Sequence, residues 1–506
     1  MSHWIVAPIL LPALLAPLMV LAMRHDLLLQ RIFSVAGTVA LVALGAALTA
    51  AAAAGPESYE MGNWPAPFGI VLVLDRLSAM LVLLTATLAL GVLAYVLATG
   101  WDARGRHFHP LFQFQLMGVC GAFLTGDLFN LFVFFEILLI ASYGLMLHGG
   151  GALRLRAGVQ YVVVNLVGST LFLFAVGAIY SVTGTLNMAD LALKAASVAP
   201  GDAGILRAGG LMLLAVFGVK AALVPLHFWL PATYANASAP VAALFAIMTK
   251  VGAYAILRVY TLIFGGLAGD AAWLAADWVI PAAIVTLAVG ALGVLGARDL
   301  RGVACFGAIA SMGTLLVAVG GFTAASATAA LYYMIHSTFA AAALFLLAEQ
   351  VAVRRGDHGD RLTTAPAFAQ GDLIGGLFFL AAIGLAGMPP LSGFLGKLMV
   401  LDAAQQNALM WWIWGAVLGG SLLIVVGFAR AGALLFWKSA SVPAGRAAPA
   451  GDAPSTLPLA AAGLMLVGLV ATTVFAGPLT DYLQAAAFEL HTPKIYIEAV
   501  LGPQGG

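Results

Sequence analysis

Residues 219–258 read VKAALVPLHFWLPATYANASAPVAALFAIMTKVGAYAILR and join two long apolar runs, 208–231 and 238–263. Each run has about the 20 mostly apolar residues that a helix needs to cross the hydrocarbon core of a bilayer. Each also carries one lysine, Lys220 or Lys250, about thirteen residues from its start. At about 1.5 Å per residue, both lysines are predicted to lie near the midplane of a core about 30 Å thick. The stretch therefore predicts two membrane helices with a cationic group in the middle of each.

The composition predicts that the rest of the chain also lies in a membrane. Of its 506 residues, 63% are hydrophobic and only 8% are charged, and the mean hydropathy is +1.04, whereas a soluble domain has about 25% charged residues. A soluble enzyme and a disordered chain are therefore excluded, and the net charge of +1 excludes a nucleic-acid binder.

The sequence predicts neither a covalent framework nor a cofactor. Cys120 and Cys305 both lie in apolar stretches, so we expect no disulfides, and no Cys/His spacing of a metal site is found. No strand is predicted, and with it no Gly-rich phosphate loop between a strand and a helix. We therefore expect no metal and no cofactor.

Apolar runs of helical length follow one another along the whole chain. The fourteen runs are 4–23, 31–54, 73–98, 109–126, 128–147, 157–181, 208–231, 238–263, 276–297, 301–321, 324–350, 373–403, 407–435 and 457–477. The first lacks the basic segment and cleavage site of a signal peptide and is interpreted as a retained span. Since no run alternates like the strands of a β-barrel, the predicted fold is an all-α polytopic membrane protein of about 14 transmembrane helices.

The basic residues predict the orientation of these spans. Fourteen of the 22 Lys and Arg residues lie in one set of alternate loops, three in the opposite set and five within spans. Cytoplasmic loops carry the excess of Lys and Arg. We therefore expect Arg154, Arg156, Arg354, Arg355 and Arg446 in the cytoplasm and both termini outside.

Four charged residues are predicted at the same depth in the membrane. Glu136 lies in the fifth run, Lys220 in the seventh, Lys250 in the eighth and Lys397 in the twelfth. Such charges cost several kcal/mol and indicate function. Desolvation favours a neutral amine and a nearby carboxylate favours an ammonium, so movement of Glu136 relative to Lys220 would switch the lysine between releasing and holding a proton. The alternative is a permanent Glu136–Lys220 ion pair that only fixes packing, with packing or snorkelling roles for the other two lysines.

Histidines and hydroxyl groups within the spans extend the candidate path. His336 and His227 are possible proton relays, and the alternative for each is a hydrogen-bonded core histidine. Hydroxyl groups that could hold water chains belong to Ser142, Tyr143, Ser169 and Thr249, although hydroxyls in helices more often bond their own backbone.

Other charged residues near the span ends are interpreted as structural. Asp75 and Arg76, at the outer end of the third span, are expected to form a stabilising pair. Arg258, toward the outer end of the eighth span, is interpreted in the same way, and Asp127 is expected to form a turn or a cap.

Prolines predict a break in two of the helices. Pro225 lies within GVKAALVPLHFWLP of the seventh run, and Pro389 and Pro390 lie within IGLAGMPPLSGFLGK of the twelfth. An interior proline removes a backbone hydrogen bond, and the freed groups are tolerated at membrane depth only inside protein or facing water.

The two predicted breaks, five spans apart, are typical of an inverted-repeat transporter. Helices 4–8, in residues 109–263, would form one five-helix repeat, and helices 9–13, in residues 276–435, the other. Residues 1–108 would supply three further helices. Residues 436–506 would form a connector, the fourteenth helix and a short outer tail.

The sequence of residues 219–258 resembles the hallmark of the antiporter-like proton-channel family. This family includes the three large membrane subunits of respiratory complex I, membrane-bound hydrogenase subunits, and the A and D subunits of Mrp-type multisubunit cation/proton antiporters. The resemblance extends from LDRLSAM at 74–80 to GMPPLSGFLGK at 387–397. The stretch DLFNLFVFFEILLIASYGLML around Glu136 is similar to that of the Mrp D subunit.

Some positions depart from the patterns of the relatives. The complex I subunits typically have Asp and His after the WLP, where this chain has Ala232 and Tyr234, and the short tail after the last span is expected to exclude the large Mrp A subunit. The lysine that the family commonly has in helix 11 aligns with Ala341, so a full second-half lysine relay is not implied, and His336 is the candidate substitute.

The resemblance implies a function and partners. Glu136, Lys220 and Lys250 would form the first-half proton path and Lys397 the terminal lysine of the second half. The chain would be a proton-translocating subunit of a Na+ (or K+ or Li+)/H+ antiporter in the bacterial cytoplasmic membrane, with the other Mrp subunits as partners, and not an enzyme. The alternatives are a proton-pumping subunit of a redox-driven complex and a scaffold whose charges only pack.

Overall fold

The computed structural model describes residues 2–441 and 455–503, and within those residues the chain folds into nineteen α-helices and one β-hairpin. Arg446 and its predicted cytoplasmic placement lie outside the described residues. The helices, in chain order, are α1 (Ala7–Leu21), α2 (Leu27–Ala52), α3 (Arg76–Thr99), α4 (Phe108–Leu124), α5 (Leu128–Leu147), α6 (Ala152–Thr183), α7 (Met188–Lys194), α8 (Ala203–Lys220), α9 (Trp229–Asn236), α10 (Ala239–Leu262), α11 (Ala276–Gly296), α12 (Leu300–Val319), α13 (Ala324–Arg354), α14 (Gly371–Ala386), α15 (Ser392–Ala403), α16 (Met410–Gly432), α17 (Leu457–Val474), α18 (Ala476–Leu490) and α19 (Pro493–Leu501).

The predicted spans are confirmed as helices. In the described part of the chain, eleven helices are long and apolar enough to cross a membrane, and α1, α4 and α14 are shorter apolar helices. Each of the fourteen predicted runs overlaps at least one of these helices. The protein is therefore an all-α, multi-pass membrane protein.

One short hairpin was not predicted from the sequence. Strands β1 (Glu57–Glu60) and β2 (Val71–Leu74) pair antiparallel, and β2 is buried along its whole length. The expectation of no strand was wrong because the apolar VLVL of β2 runs without interruption into the third helical run. The boundary is set by Asp75, whose side chain caps α3 and forms a capping box with Ser78.

Both predicted helix breaks are present. Residues 221–228 separate α8 from α9, and residues 387–391 separate α14 from α15. Protein groups satisfy backbone atoms at these breaks: the Trp229 Nε1–H donates to the Val219 carbonyl at 2.9 Å, and the backbone N–H of Val224 donates to Thr286 Oγ1 at 2.9 Å. The breaks are therefore built into the packing of the bundle.

Two helices cross the centre of the bundle. The apolar windows of α10 and α13 are entirely buried, whereas only a third of the corresponding windows of α2 and α16 is buried. At Gly252 of α10, an added Cβ would lie 2.6 Å from the Ala221 nitrogen, so only glycine lets α10 pack against the backbone at the end of α8. This contact places the middle of α10 directly beside the first break.

The segment after the fourteenth span is helical rather than an irregular tail. Helices α18 and α19 return to the end of the bundle that holds the start of α3: Glu489 of α18 forms an ion pair with Arg76, and the Arg258 guanidinium lies 5.1 Å from the ring centroid of Tyr496 on α19. These amphipathic helices were missed because they lack the long apolar run that identifies a span.

Candidate functional site

Lys220 is the last residue of α8 and lies at the first break. It is buried, and its Nζ donates a hydrogen bond to Asn165 Oδ1 on α6 at 2.6 Å. As the last residue of α8, Lys220 is at the carboxyl end of the helix, where the helix dipole favours a cation. The break thus gives a buried lysine a polar partner and a favourable field, and no carboxylate among the described residues contacts the amine.

Glu136 is held by the same neighbouring helix. It is half-buried on α5 and accepts a hydrogen bond from the Ser169 hydroxyl. Ser169 and Asn165 are four residues apart on α6 and therefore share one face of that helix. Glu136 and Lys220 make no contact within 4 Å among the described side chains, so the proposed direct ion pair is not formed here, and the two groups are connected through α6.

Lys250 lies halfway along α10 and is almost completely buried, with 1% of its surface exposed. Within the described residues its amine has neither a hydrogen bond nor an ion pair. No carboxylate therefore balances its charge, which is the condition under which a buried lysine is most readily neutral.

His336 lies at the middle of α13 and is completely buried. Its Nδ1 is 2.9 Å from the hydroxyl of Ser392, the first residue of α15, and that hydroxyl donates to the Leu469 carbonyl at 3.2 Å. The Ser392 hydroxyl thereby joins the ring to α17, in which Leu469 lies. The charges of Lys250 and Lys397 both lie within electrostatic range of this ring.

Lys397 of α15 reaches back across the second break. Its Nζ donates to the carbonyl of Ala386, the last residue of α14, and to Ser421 Oγ, each at 2.8 Å. The amine thus caps the carboxyl end of the half-helix α14, where a cation is stabilised. Gly387 has a φ of +78°, and a Cβ there would lie 2.5 Å from Lys397 Cδ, so this turn requires glycine.

The remaining predicted residues lie outside this set. Asp75 and Arg76 do not pair with each other: Asp75 forms a 2.5 Å ion pair with Arg258, and Arg76 pairs with α18. Adjacent residues at a helix start point in different directions, which explains the error. Asp127 is a helix cap as expected, accepting from the Asn130 N–H at 2.8 Å. His227 is partly exposed in the first break, and its Nδ1 has no partner in the described part of the chain.

The predicted hydroxyl groups divide between backbone and side-chain partners. Thr249 bonds its own helix, whereas the Ser142 hydroxyl lies 2.9 Å from that of Tyr161. The ring of Tyr143 packs edge-on against the same Tyr161. Of the four predicted hydroxyl groups, only that of Ser169 contacts a charged residue of the predicted path within the described part of the chain.

Several polar residues at the site were not identified from the sequence. Tyr161 and Asn165 precede the predicted Ser169 at intervals of four residues on α6, and this spacing in an apolar helix was a signal that could have found them. Ser392 and Ser421 had no such signal. Near the end of α13, the buried Tyr95 hydroxyl donates to Glu349 Oε2 at 2.7 Å, a carboxylate that lies at the end of the eleventh apolar run.

An all-α bundle with two broken helices, and with a buried lysine beside each break, defines the class of antiporter-like transmembrane subunits. Residues 125–424 match the family model described as "NADH:quinone oxidoreductase/Mrp antiporter, TM". The chain belongs to this family, as the resemblance indicated.

Relatives in this family cover the whole chain. The D subunit of a probable K(+)/H(+) antiporter of Rhizobium meliloti is 39% identical over 541 residues, covering 100% of this chain and 99% of the relative. The D subunit of the Na(+)/H(+) antiporter of Bacillus subtilis is 39% identical over 513 residues, covering 99% of this chain and 100% of the relative. A chain of the Mrp complex from Dietzia sp. superposes with a TM-score of 0.88 at 29% identity, covering 99% of this chain and 100% of that chain.

Proposed function

We propose that the chain is the proton-translocating subunit of a multisubunit antiporter that exchanges a monovalent cation for protons, and that its partners are the other subunits of an Mrp-type complex. The observation that carries this proposal is that Glu136 and Lys220 are each bound by a buried polar side chain on the same face of α6, Ser169 and Asn165 respectively. The names of its relatives, which are D subunits of Na+/H+ and K+/H+ antiporters, support the same function.

In this proposal Lys220 is the proton carrier of the first half. Its hydrogen-bond partner in the structure is a neutral amide, which compensates a buried ammonium only through its dipole. Approach of the Glu136 carboxylate adds a full opposite charge and favours the protonated lysine, whereas separation favours the neutral amine. A change of the distance between the two groups therefore loads and unloads a proton.

The proton then passes to the second half through the centre of the bundle. Lys250 has no counter-charge in contact among the described residues, and the buried His336 ring lies within electrostatic range of Lys250 and Lys397. Lys397, stabilised by the end of α14, is the terminal group of this path. Both halves use a helix break to present a lysine, which agrees with a pair of inverted repeats in residues 109–263 and 276–435.

The proposal places the protein in a bacterial cytoplasmic membrane with both termini outside. It also makes the chain part of a transporter driven by ion gradients and not of an enzyme. The runner-up is a proton-pumping subunit of a redox-driven complex, which would require a quinone or hydrogenase module. The antiporter proposal is favoured because relatives of 39% identity over the full chain carry antiporter names.

Replacement of Lys220 tests the proposed carrier role. Proton/cation exchange is measured in everted vesicles and normalised to assembled complex. Lys220→Ala and Lys220→Arg should both abolish exchange, because arginine keeps its proton at all relevant pH values. The matched control is Lys194→Arg, since Lys194 is a partly exposed lysine paired with Asp190 on α7, and it should leave exchange unchanged. Normal exchange by Lys220→Arg would show that this position needs only a positive charge.

A further inference from the structure

Helix α6 carries a separate neutral partner for each of the two opposite charges of the first half. The Asn165 Nδ2 donates to the Tyr161 carbonyl at 2.8 Å, which fixes the amide and turns its Oδ1 toward Lys220. One turn along the same face, the Ser169 hydroxyl donates to Glu136. Asn165 and Ser169 are both buried, with 1% and 7% of their surfaces exposed, although neither is needed to cap or terminate a helix.

The Glu136 carboxylate and the Lys220 amine both lie against one face of α6, and opposite charges attract each other. In this structure each is satisfied by an α6 side chain instead, and they are not in contact. We propose that Asn165 is the positioning residue that holds Lys220 apart from Glu136, with Ser169 holding Glu136, so that α6 defines the separated state of the pair. This inference rests on the proposed carrier role of Lys220 and adds the element that controls it.

The proposal assigns Lys220 two alternative partners. When Lys220 binds Asn165, its amine has a hydrogen bond but no counter-charge. When Lys220 binds Glu136, the amine gains the negative charge of the carboxylate. Helix α6 also carries Arg154, Arg156, Tyr161 and Tyr180, helix α10 carries Lys250, Tyr254, Arg258 and Tyr260, and His227 lies in the break. None of these provides a second carboxylate, so the choice between Asn165 and Glu136 decides the charge environment of the amine.

Two substitutions at position 165 test the proposal, one by removing the hydrogen-bond acceptor of Lys220 and the other by adding a negative charge to it. Asn165→Leu keeps the volume but removes the acceptor, so Lys220 should pair permanently with Glu136. Exchange per assembled complex should then fall by about tenfold to a hundredfold, as for other misplaced catalytic groups. Asn165→Asp keeps the shape but adds a counter-charge at the same place. It should shift the pH of half-maximal exchange upward by about one to three units, because an adjacent carboxylate stabilises the ammonium.

The matched control is Thr170→Val, because Thr170 is on α6 next to Ser169 but is exposed and bonds only its own helix. It should leave both the exchange rate and the pH profile unchanged. If Asn165→Leu fails to assemble, the pH profile of the nearly isosteric Asn165→Asp variant decides the matter. An unshifted profile, or full exchange by Asn165→Leu, overturns the role of Asn165. If Lys220→Ala is inactive in the same vesicles, the proposed carrier role survives that result, and if Lys220→Ala is active, the carrier role itself is wrong.

Discussion

The ion pair between Asp75 and Arg258 should be essential for stability and dispensable for transport. The two side chains are both buried, at 3% and 4% exposure, and their charged atoms lie 2.5 Å apart. Arg258 also lies over the ring of Tyr254, at 5.7 Å from its centroid. Removal of one partner from a buried ion pair leaves an uncompensated charge and costs about 3–5 kcal/mol. Asp75→Asn should lower the free energy of unfolding by that amount.

The choice of asparagine separates the charge from the helix cap. Asp75 also accepts the Ser78 N–H at the start of α3, and asparagine is an equally good capping residue. The matched control is Asp127→Asn, since Asp127 caps α5 in the same way but has no cation within 4 Å among the described residues. That control should lose at most about 1 kcal/mol, the value of a cap. A second variant, Asp75→Asn with Arg258→Met, should recover most of the stability because both buried charges are gone.

The assay is unfolding of the purified protein by sodium dodecyl sulfate in mixed micelles, with exchange per assembled complex measured in parallel vesicles. The expected result is a large loss of stability in Asp75→Asn, recovery in the double variant, and near-normal exchange wherever complex assembles. If Asp75→Asn were as stable as Asp127→Asn, the pair would contribute nothing and the argument from buried charge would be refuted. If exchange per complex were lost at normal stability, Asp75 would belong to the transport path instead.

Two further contacts and the proposed orientation lead to three more predictions. Ser392→Ala should free Nδ1 of His336 and lower exchange per complex, whereas Ser392→Thr, which keeps the hydroxyl, should retain it; equal rates for the two variants would remove Ser392 from the path. Burial raises the pKa of Asp102, but hydrogen bonds from His109 and Arg31 outweigh the effect of burial and hold that pKa well below its usual range. The Asp102 carboxylate therefore stabilises the folded protein at pH values above its ordinary pKa of about 3.9. This stabilisation is lost as the pH falls below about 3.9. Arg31→Gln should therefore reduce the unfolding free energy at pH 7, with the difference from wild type narrowing below about pH 4, and a pH-independent difference would contradict this. A cysteine at position 155 should react with membrane-impermeant reagents only in everted vesicles, against a low background since Cys120 and Cys305 are buried; labelling in intact cells would reverse the proposed orientation.

The helices and their breaks could be predicted from the sequence because lipid imposes a simple rule on composition. A run of about 20 apolar residues has almost no alternative to a span, and Pro225 and Pro389–Pro390 interrupt the helices where predicted. The same rule failed at β2, since VLVL is as apolar as the helix that follows it. It also missed α18 and α19, which lie along the bundle without a spanning run.

The charged residues could be predicted individually, but their partners could not. Depth along a helix placed Lys220, Glu136 and Lys397 within their helices, whereas contacts depend on how helices rotate against each other. The sequence predicted that Glu136 moves relative to Lys220, with a permanent ion pair as the alternative, and neither prediction named a third residue between them. The structure places Asn165 against the lysine; the four-residue spacing of polar residues in α6 marks this residue, but it does not identify which charged group the residue contacts.

The glycine at position 252 determines which parts of the first half are able to move relative to one another. Because α10 touches the main chain at the end of α8 with no side chain between them, neither helix has room to slide or tilt along the other without a collision of backbone atoms. The first break and the middle of α10 are therefore expected to move as one rigid unit that contains both Lys220 and Lys250. We therefore expect the distance from Lys220 to Glu136 to change through the two side chains and α6, where the hydrogen bond to Asn165 joins the lysine to that helix.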